Sequence, residues 1–350
     1  MTDTAPTEGT TPPGPPAEAC APPAAITRTT RTTPAWQGSG VGFTGLGHYF
    51  PRTLVDNSAG TEATSNSLED KLLGDLGVLT RYRSDEEETV QYMAVRAAER
   101  ALADAGLTAG DIDLVILSNW TDRLYGPEIA PRIASDLGMS GVLAFDVCAG
   151  CAGFVMGVQT AALHLTGPMG IRRALVISSE RFSRRVRPGS KGELVTGDAA
   201  GAAVVEVSGT EGRGLIDSQL STDGTRHHLT GAYPPNGWVR SSPDLIEEAI
   251  AHATTVTREI LGRNGLTVAD LDWFVPHSGT SPIMDGIQKE LGLAPERFAS
   301  NFRIRGNLSS ASIPTVLSEF TADGQITPGN LVLAPAVGGG WFYGALLFRA

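Results

Sequence analysis

The sequence has few cysteines and no long apolar run. Three cysteines in 350 residues, two of them only three positions apart, do not indicate a disulfide framework. This favours a protein of the reducing cytoplasm over a secreted one. No apolar stretch approaches the length of a membrane span. No Cys/His spacing fits a zinc site, so we expect no bound metal.

Positive charge is also scarce. Lys and Arg number 27 against 38 Asp and Glu, for a net charge of −11. This balance argues against nucleic acid or an anionic membrane as the main partner. The apolar content of 41% is ordinary for a soluble globular protein.

The first 38 residues have almost no large apolar side chains before Trp36 and are rich in Thr, Pro and Ala. They have no cationic start followed by an apolar core, so they do not resemble a signal peptide. Because such a segment buries too little surface to offset its chain entropy, residues 1–38 are predicted to be a disordered, removable tail.

After the tail, amphipathic helices alternate with short apolar strands, a pattern typical of an α/β protein. The helix at residues 87–105 and the strand at 111–117 have counterparts at 244–264 and 269–275. Asp113 and Asp272 are equivalent at an offset of 159. The chain is therefore predicted to contain two fused, pseudo-twofold related halves, residues 39–210 and 211–350.

Residues 145–165 are predicted to form a strand, a sharp turn of small residues and a helix from about Ala152. Cys151 lies at the helix N-terminus, where free N–H groups and the helix dipole stabilise a thiolate. We expect a lowered thiol pKa and a nucleophile there. The alternative is a packed core thiol, which is the interpretation preferred for Cys148.

The repeat brings two further polar residues to the same central cleft. His277 follows a buried strand, at the edge where α/β sites usually open, although a histidine that caps the next helix would look similar. Asn307 is equivalent to Cys151 in the second half, and it could instead be an ordinary helix cap with Ser309 and Ser310.

Taken together, these motifs resemble the β-ketoacyl-[acyl-carrier-protein] synthase III family of the thiolase superfamily. The resemblance runs from about residue 41 to 350. Its motifs are the Cys151 turn followed by Ala-Gly-Phe, residues 272–277, residues 306–314 and the glycines at 338–340.

The resemblance implies a five-layered αβαβα thiolase fold and a homodimer that uses acyl-CoA or acyl carrier protein without a cofactor. Cys151 would carry the acyl group as a thioester. His277 and Asn307 would stabilise the enolate formed on decarboxylation, and the N–H groups of Cys151 and Gly339 would form an oxyanion hole.

The sequence departs from the family at recognition positions. The loop 277–282 lacks the usual arginine near Pro282, whereas Arg81 matches a basic contact for carrier protein or coenzyme A. Gly126 stands where relatives often place an aromatic at the dimer interface. These changes suggest a specialised, secondary-metabolic member. They also leave open acyl transfer from Cys151 to a hydroxyl or amine.

Overall fold

Helices and strands alternate along the computed structural model, which describes residues 31–57, 76–124, 126–208 and 212–350. The strands are β1 (Val41–Tyr49), β2 (Thr53–Asp56), β3 (Thr80–Arg83), β4 (Leu114–Ser118), β5 (Leu143–Val147), β6 (Arg173–Arg181), β7 (Asp198–Val207), β8 (Gly214–Thr222), β9 (Thr230–Ala232), β10 (Val239–Ser241), β11 (Trp273–Phe274), β12 (Leu331–Gly338) and β13 (Phe342–Arg349). The α-helices are α1 (Val90–Ala105), α2 (Ala130–Asp136), α3 (Gly153–Leu165), α4 (Lys191–Val195), α5 (Leu245–Arg263), α6 (Ser281–Leu291), α7 (Phe302–Arg305) and α8 (Ser312–Ala322). None of these helices is long and apolar enough to cross a membrane.

The strands form two main sheets, one from each predicted half. The first has the order β1-β7-β6-β4-β5, with β4 parallel to β5 and β6 and the other pairs antiparallel. The second has the order β11-β12-β13-β8, with only the first pair parallel. The boundary predicted near residue 210 therefore separates the strands of one sheet from those of the other.

Helices α3 and α8 lie between the two sheets and carry the largest apolar cluster. Helices α1 and α2 cover the outer face of the first sheet, and α5 packs with α6 on the outer face of the second. The result is the five-layered αβαβα sandwich that the sequence predicts.

The internal repeat is visible in matching hydrogen bonds. Asp113 Oδ2 accepts the N–H of Arg173 at 3.1 Å, at the start of β6. Asp272 Oδ2 accepts the N–H of Leu331 at 2.7 Å, at the start of β12. The two aspartates therefore fix equivalent strands in the two halves.

Short capped turns precede β4 and β11 and shorten both strands relative to the sequence prediction. A Thr and an Asp cap each other at Thr108 and Asp111, and again at Thr267 and Asp270. Because these residues satisfy their backbone groups within a 3₁₀ turn, they do not join the sheet.

Glycines in β1 allow α1 to lie directly on the strand. A Cβ atom at Gly45 would be 2.3 Å from the carbonyl oxygen of Ala101, and one at Gly47 would be 2.4 Å from that of Ala97. The glycine-rich strand and the alanine-rich face of the helix thus form one close-packed contact.

The last part of the predicted tail packs against the second sheet, which corrects the boundary at residue 38. Residues 1–30 lie outside the described residues. Trp36, however, is only 7% exposed, its Nε1 donates to Ser218 Oγ at 2.7 Å, and its backbone N–H donates to Ile216 O at 3.1 Å. A single large side chain whose donor meets a partner on β8 is enough to fix this segment.

We expect Trp36→Ala to lower the free energy of unfolding by about 3–5 kcal/mol, because it leaves a cavity and removes a buried hydrogen bond. Urea unfolding measures the loss. Tyr233→Ala, at a ring that is 57% exposed, is the control and should change stability by about 0.5 kcal/mol or less. Equal losses for the two variants would contradict the docking of Trp36.

Candidate active site

Cys151 lies in the turn between β5 and α3. Gly150 adopts a φ of +52°, which glycine tolerates without steric strain, and this reverses the chain after the strand. Ala149 and Ala152 on either side are fully buried. The helix begins at Gly153, so the predicted strand-turn-helix arrangement is confirmed.

A cavity of about 1070 Å³ opens at this turn, and we call it the central cavity. Cys151, His277, Asn307 and Gly339 all line it. Apolar side chains of α5 and α6 form much of the remaining wall. The structure therefore brings together the three residues that the sequence places on convergent loops, and Gly339, which the resemblance implies, lies with them.

The Cys151 thiol is less acidic than its helix position predicts. Burial raises the thiol pKa to about 12, a hydrogen bond from Ser309 acts against this, and the nearby carboxylate of Glu180 adds to it. The expectation of a lowered pKa is therefore wrong, because the loss of hydration outweighs the attraction of the helix N-terminus.

His277 is held by the second sheet in its neutral form. Its backbone N–H donates to Pro335 O at 2.8 Å, and its Nδ1 lies 3.3 Å from Ser312 Oγ. Burial lowers the pKa of the imidazole to about 4. At neutral pH the stable pair is thus a neutral imidazole and a neutral thiol.

Asn307 is fixed on both sides by hydrogen bonds. Its Nδ2 donates to Gly279 O at 2.8 Å, in the loop that follows His277, and its Oδ1 accepts the N–H of Ser309 at 2.8 Å. Its backbone N–H donates to Val195 O at 2.7 Å. The bond to Ser309 is a local cap, but the bond to Gly279 ties the amide to the histidine loop, which an ordinary helix cap would not do.

Three other predicted residues lie elsewhere. Arg81 is only 3% exposed and donates to Asn57 Oδ1, so its burial argues against the predicted contact with an external carrier. Cys148 is exposed, because β5 is an edge strand, and the prediction that it is buried is wrong. Gly126 is exposed and lies outside the cavity wall.

Two polar residues near the thiol were not predicted. Trp120 follows β4, the neighbour of β5 in the sheet, and Glu180 lies near the end of β6, the next strand across. These three strands are parallel, so their carboxyl ends lie at the same sheet edge as the Cys151 turn. The positions of Trp120 and Glu180 at the carboxyl ends of strands could have identified them from the sequence, because α/β sites usually open there. Ser309, expected only as a cap, lies with its Oγ 3.5 Å from Cys151 Sγ.

Comparison with known proteins agrees with this geometry. The family model described as 3-oxoacyl-[acyl-carrier-protein] synthase III matches residues 145–224, and its C-terminal counterpart matches residues 261–350. The β-ketoacyl-[acyl-carrier-protein] synthase III of Agrobacterium fabrum is 37% identical over 317 residues, which cover 87% of this chain and 98% of the relative. That of Ruegeria pomeroyi is also 37% identical, over 87% and 97% of the two chains.

Solved structures give the same result. The 3-oxoacyl-[acyl-carrier-protein] synthase III of Aquifex aeolicus superposes with a TM-score of 0.82 at 29% identity, over 89% of this chain and all of that one. The priming β-ketosynthase of the R1128 polyketide pathway superposes with a TM-score of 0.80 at 30% identity, over 88% and 96%. The chain thus has the thiolase fold and belongs to the β-ketoacyl-[acyl-carrier-protein] synthase III family of condensing enzymes.

Proposed function

We propose that Cys151 accepts an acyl group as a thioester and that this group then condenses with a malonyl thioester as carbon dioxide leaves. The observation that carries the proposal is the placement of a thiol, a neutral imidazole and a fixed amide on one cavity. This set supplies a nucleophile and two uncharged donors.

In the first step, the Cys151 sulfur attacks the carbonyl carbon of the incoming thioester. The new carbon–sulfur bond forms as the bond to the carrier sulfur breaks, and the proton lost by Cys151 leaves with the carrier thiol. Because only the thiolate attacks, a thiol whose pKa burial raises to about 12 needs stabilisation at the moment of reaction.

In the second step, loss of carbon dioxide from the malonyl thioester leaves an enolate. His277 is neutral and can donate to the enolate oxygen, and the second N–H of the Asn307 amide is available because the first binds Gly279. The enolate carbon then attacks the acyl carbonyl on Cys151, and the Cys151 thiolate departs. None of these steps needs a cofactor.

Acyl transfer to a hydroxyl or amine is the second candidate, since the loop 277–282 departs from the family. In that reaction His277 would act as a general base toward the acceptor. With a pKa of about 4 the imidazole is a weak base at neutral pH, because efficient general bases have pKa values near the working pH. The charge state of His277 therefore favours condensation.

The backbone N–H groups of Cys151 and Gly339 are the proposed oxyanion hole. Among the described residues, neither donates to another backbone carbonyl outside the regular helices and strands. The two chain segments touch: a Cβ at Gly338 would lie 2.8 Å from the Cys151 nitrogen, and one at Gly150 would lie 2.9 Å from the Gly339 nitrogen. This contact between the two segments supports the proposal that both donors act on one developing oxyanion.

Acyl-CoA and acyl carrier protein are the proposed partners, in line with the names of the relatives. Arg187, Lys191 and Arg240 line the cavity and offer cations for the phosphate of a pantetheine arm. The likeness to a priming ketosynthase of a polyketide pathway supports a role in specialised metabolism.

A homodimer is proposed from the edge of the first sheet on which no described strand pairs with β5. Strand β5 ends this sheet, and its Leu143 is 46% exposed. An edge strand presents unpaired backbone groups that a second copy can satisfy. Gly126, just before the helix that packs on β5, stays a predicted interface position.

Cys151→Ala should abolish acyl-enzyme formation, because it removes the nucleophile. Cys148→Ala is the matched control and should retain most of it, since Cys148 lies outside the cavity wall. Intact-protein mass spectrometry after incubation with acyl-CoA measures the adduct. A thioester adduct on the Cys151→Ala protein would refute the assignment.

His277→Ala and Asn307→Ala should each slow malonyl decarboxylation by about 10²–10³, because each removes one donor to the same enolate oxygen. Acylation of Cys151 should change much less. Release of carbon dioxide from malonyl carrier protein and the acyl-enzyme yield are measured separately, and His228→Ala, at an exposed residue, is the control.

The ratio of the rate losses caused by His277→Ala and Asn307→Ala distinguishes the two candidate reactions. In acyl transfer the loss would fall mainly on His277, by about 10²–10⁴, and Asn307 would matter little. A wild-type protein that acylates on Cys151 but releases no carbon dioxide from any malonyl thioester would rule out condensation.

Gly338→Ala should reduce acylation by about 10²-fold or more, because the new Cβ would lie 2.5 Å from Ala149 O and 2.8 Å from the Cys151 nitrogen and would displace one oxyanion donor. Gly262→Ala is the control, since a Cβ there meets nothing within 4 Å. The initial rate of acyl-enzyme formation is measured for both variants. A wild-type rate for Gly338→Ala would contradict the proposed oxyanion hole.

A further inference from the structure

Ser309 brings a buried hydroxyl to the sulfur of Cys151. The two atoms, Ser309 Oγ and Cys151 Sγ, are 3.5 Å apart, and Ser309 is fully buried. Its φ of +53° is unusual for a residue with a side chain and persists only where the surroundings hold it. The N–H bond to Asn307 Oδ1 helps to hold this turn.

Trp120 determines the direction of the Ser309 hydroxyl. Its indole Nε1 donates to Ser309 Oγ at 2.7 Å, and an indole N–H can only donate. The serine oxygen is therefore the acceptor in that bond, and its one proton is free for another acceptor. The Cys151 sulfur is within reach of this proton.

We propose that Ser309 is a further catalytic residue whose hydroxyl donates a hydrogen bond to the Cys151 thiolate. Trp120 is the positioning residue that keeps the hydroxyl in this orientation, and its ring is itself packed edge-on against Phe182, with centroids 5.3 Å apart. Ser309 keeps its proton throughout the reaction. The inference rests on the proposed role of Cys151 as the nucleophile.

The charges around the sulfur explain why such a donor matters. Glu180 on β6 lies close enough to the thiol for its charge to raise the thiol pKa. Its Oε1 accepts from Ser310 Oγ at 2.6 Å, and its Oε2 accepts from Thr121 Oγ1 at 2.8 Å. Its carboxylate and the burial of the site both disfavour a thiolate.

Other charged or titratable groups do little to offset this at the sulfur. His277 is neutral. The cations that line the same central cavity, Arg187, Lys191 and Arg240, are not among the groups that shift the pKa of Cys151. The Ser309 hydroxyl is the side-chain contact that favours the thiolate directly.

The test measures thiolate formation, not turnover. In a Cys20→Ala/Cys148→Ala background, Cys151 is the only cysteine, and its rate of alkylation by iodoacetamide is measured between about pH 7 and pH 9. In this range the rate is proportional to the small thiolate fraction. Ser309→Ala should lower the rate about tenfold at every pH, because it removes a hydrogen bond to a charged group.

Trp120→Phe keeps a ring against Phe182 but removes the indole donor, so it should give a smaller change in the same direction. Ser179→Ala is the matched control: it also removes one buried hydroxyl, which donates to Val90 O at 2.8 Å, and it should behave like the parent.

An unchanged alkylation rate for Ser309→Ala would overturn the proposal, even if activity fell, because a purely structural role lowers activity without moving the thiolate equilibrium. Thermal unfolding checks that each variant is folded. If Ser309→Ala does not fold, the alkylation rate of Trp120→Phe tests the proposal instead. If the parent forms no acyl-enzyme, the proposed function fails, but the alkylation data still decide the role of Ser309.

Discussion

The active-site geometry depends on the contact between two backbone turns, one from each half of the chain. The turn before α3 carries Cys151, and the end of β12 carries Gly338 and Gly339, with no room for a side chain between them. The backbone of His277 is tied to β12 as well, through Pro335. Because α3 and α8 fill the space between the two sheets, the packing of the halves sets the distances between Cys151, His277 and Gly339 together.

The second constraint is the removal of water from the reacting groups. Burial keeps the thiol of Cys151 protonated and the imidazole of His277 unprotonated, so the resting site carries no thiolate–imidazolium pair. The uncharged hydrogen-bond donors of such a site can stabilise negative charge that appears only during the reaction. It suits decarboxylation, where the negative charge is on the enolate and the enzyme contributes fixed dipoles.

Much of this could be predicted from the sequence, because apolar periodicity and the internal repeat reflect backbone geometry. The equivalence of Asp113 and Asp272 is a case in which a repeated residue keeps a repeated hydrogen bond. Properties that arise from packing between distant segments could not be predicted. The burial of Trp36 and Arg81 and the exposure of Cys148 depend on which strand lies at an edge and which segment covers it. The direction of the thiol pKa shift depends on the same packing.

The buried carboxyl of Glu180 has a consequence for the balance between protons and folding. Its pKa in the folded protein is raised from 4.5 to about 7, chiefly by loss of hydration, so the folded chain holds a proton that the unfolded chain releases. The contribution of this group to stability is fully present below about 4.5 and is lost as the pH rises toward 7. Between these two values folding takes up a proton at Glu180, and above them the folded protein maintains a buried, ionised carboxylate near Cys151.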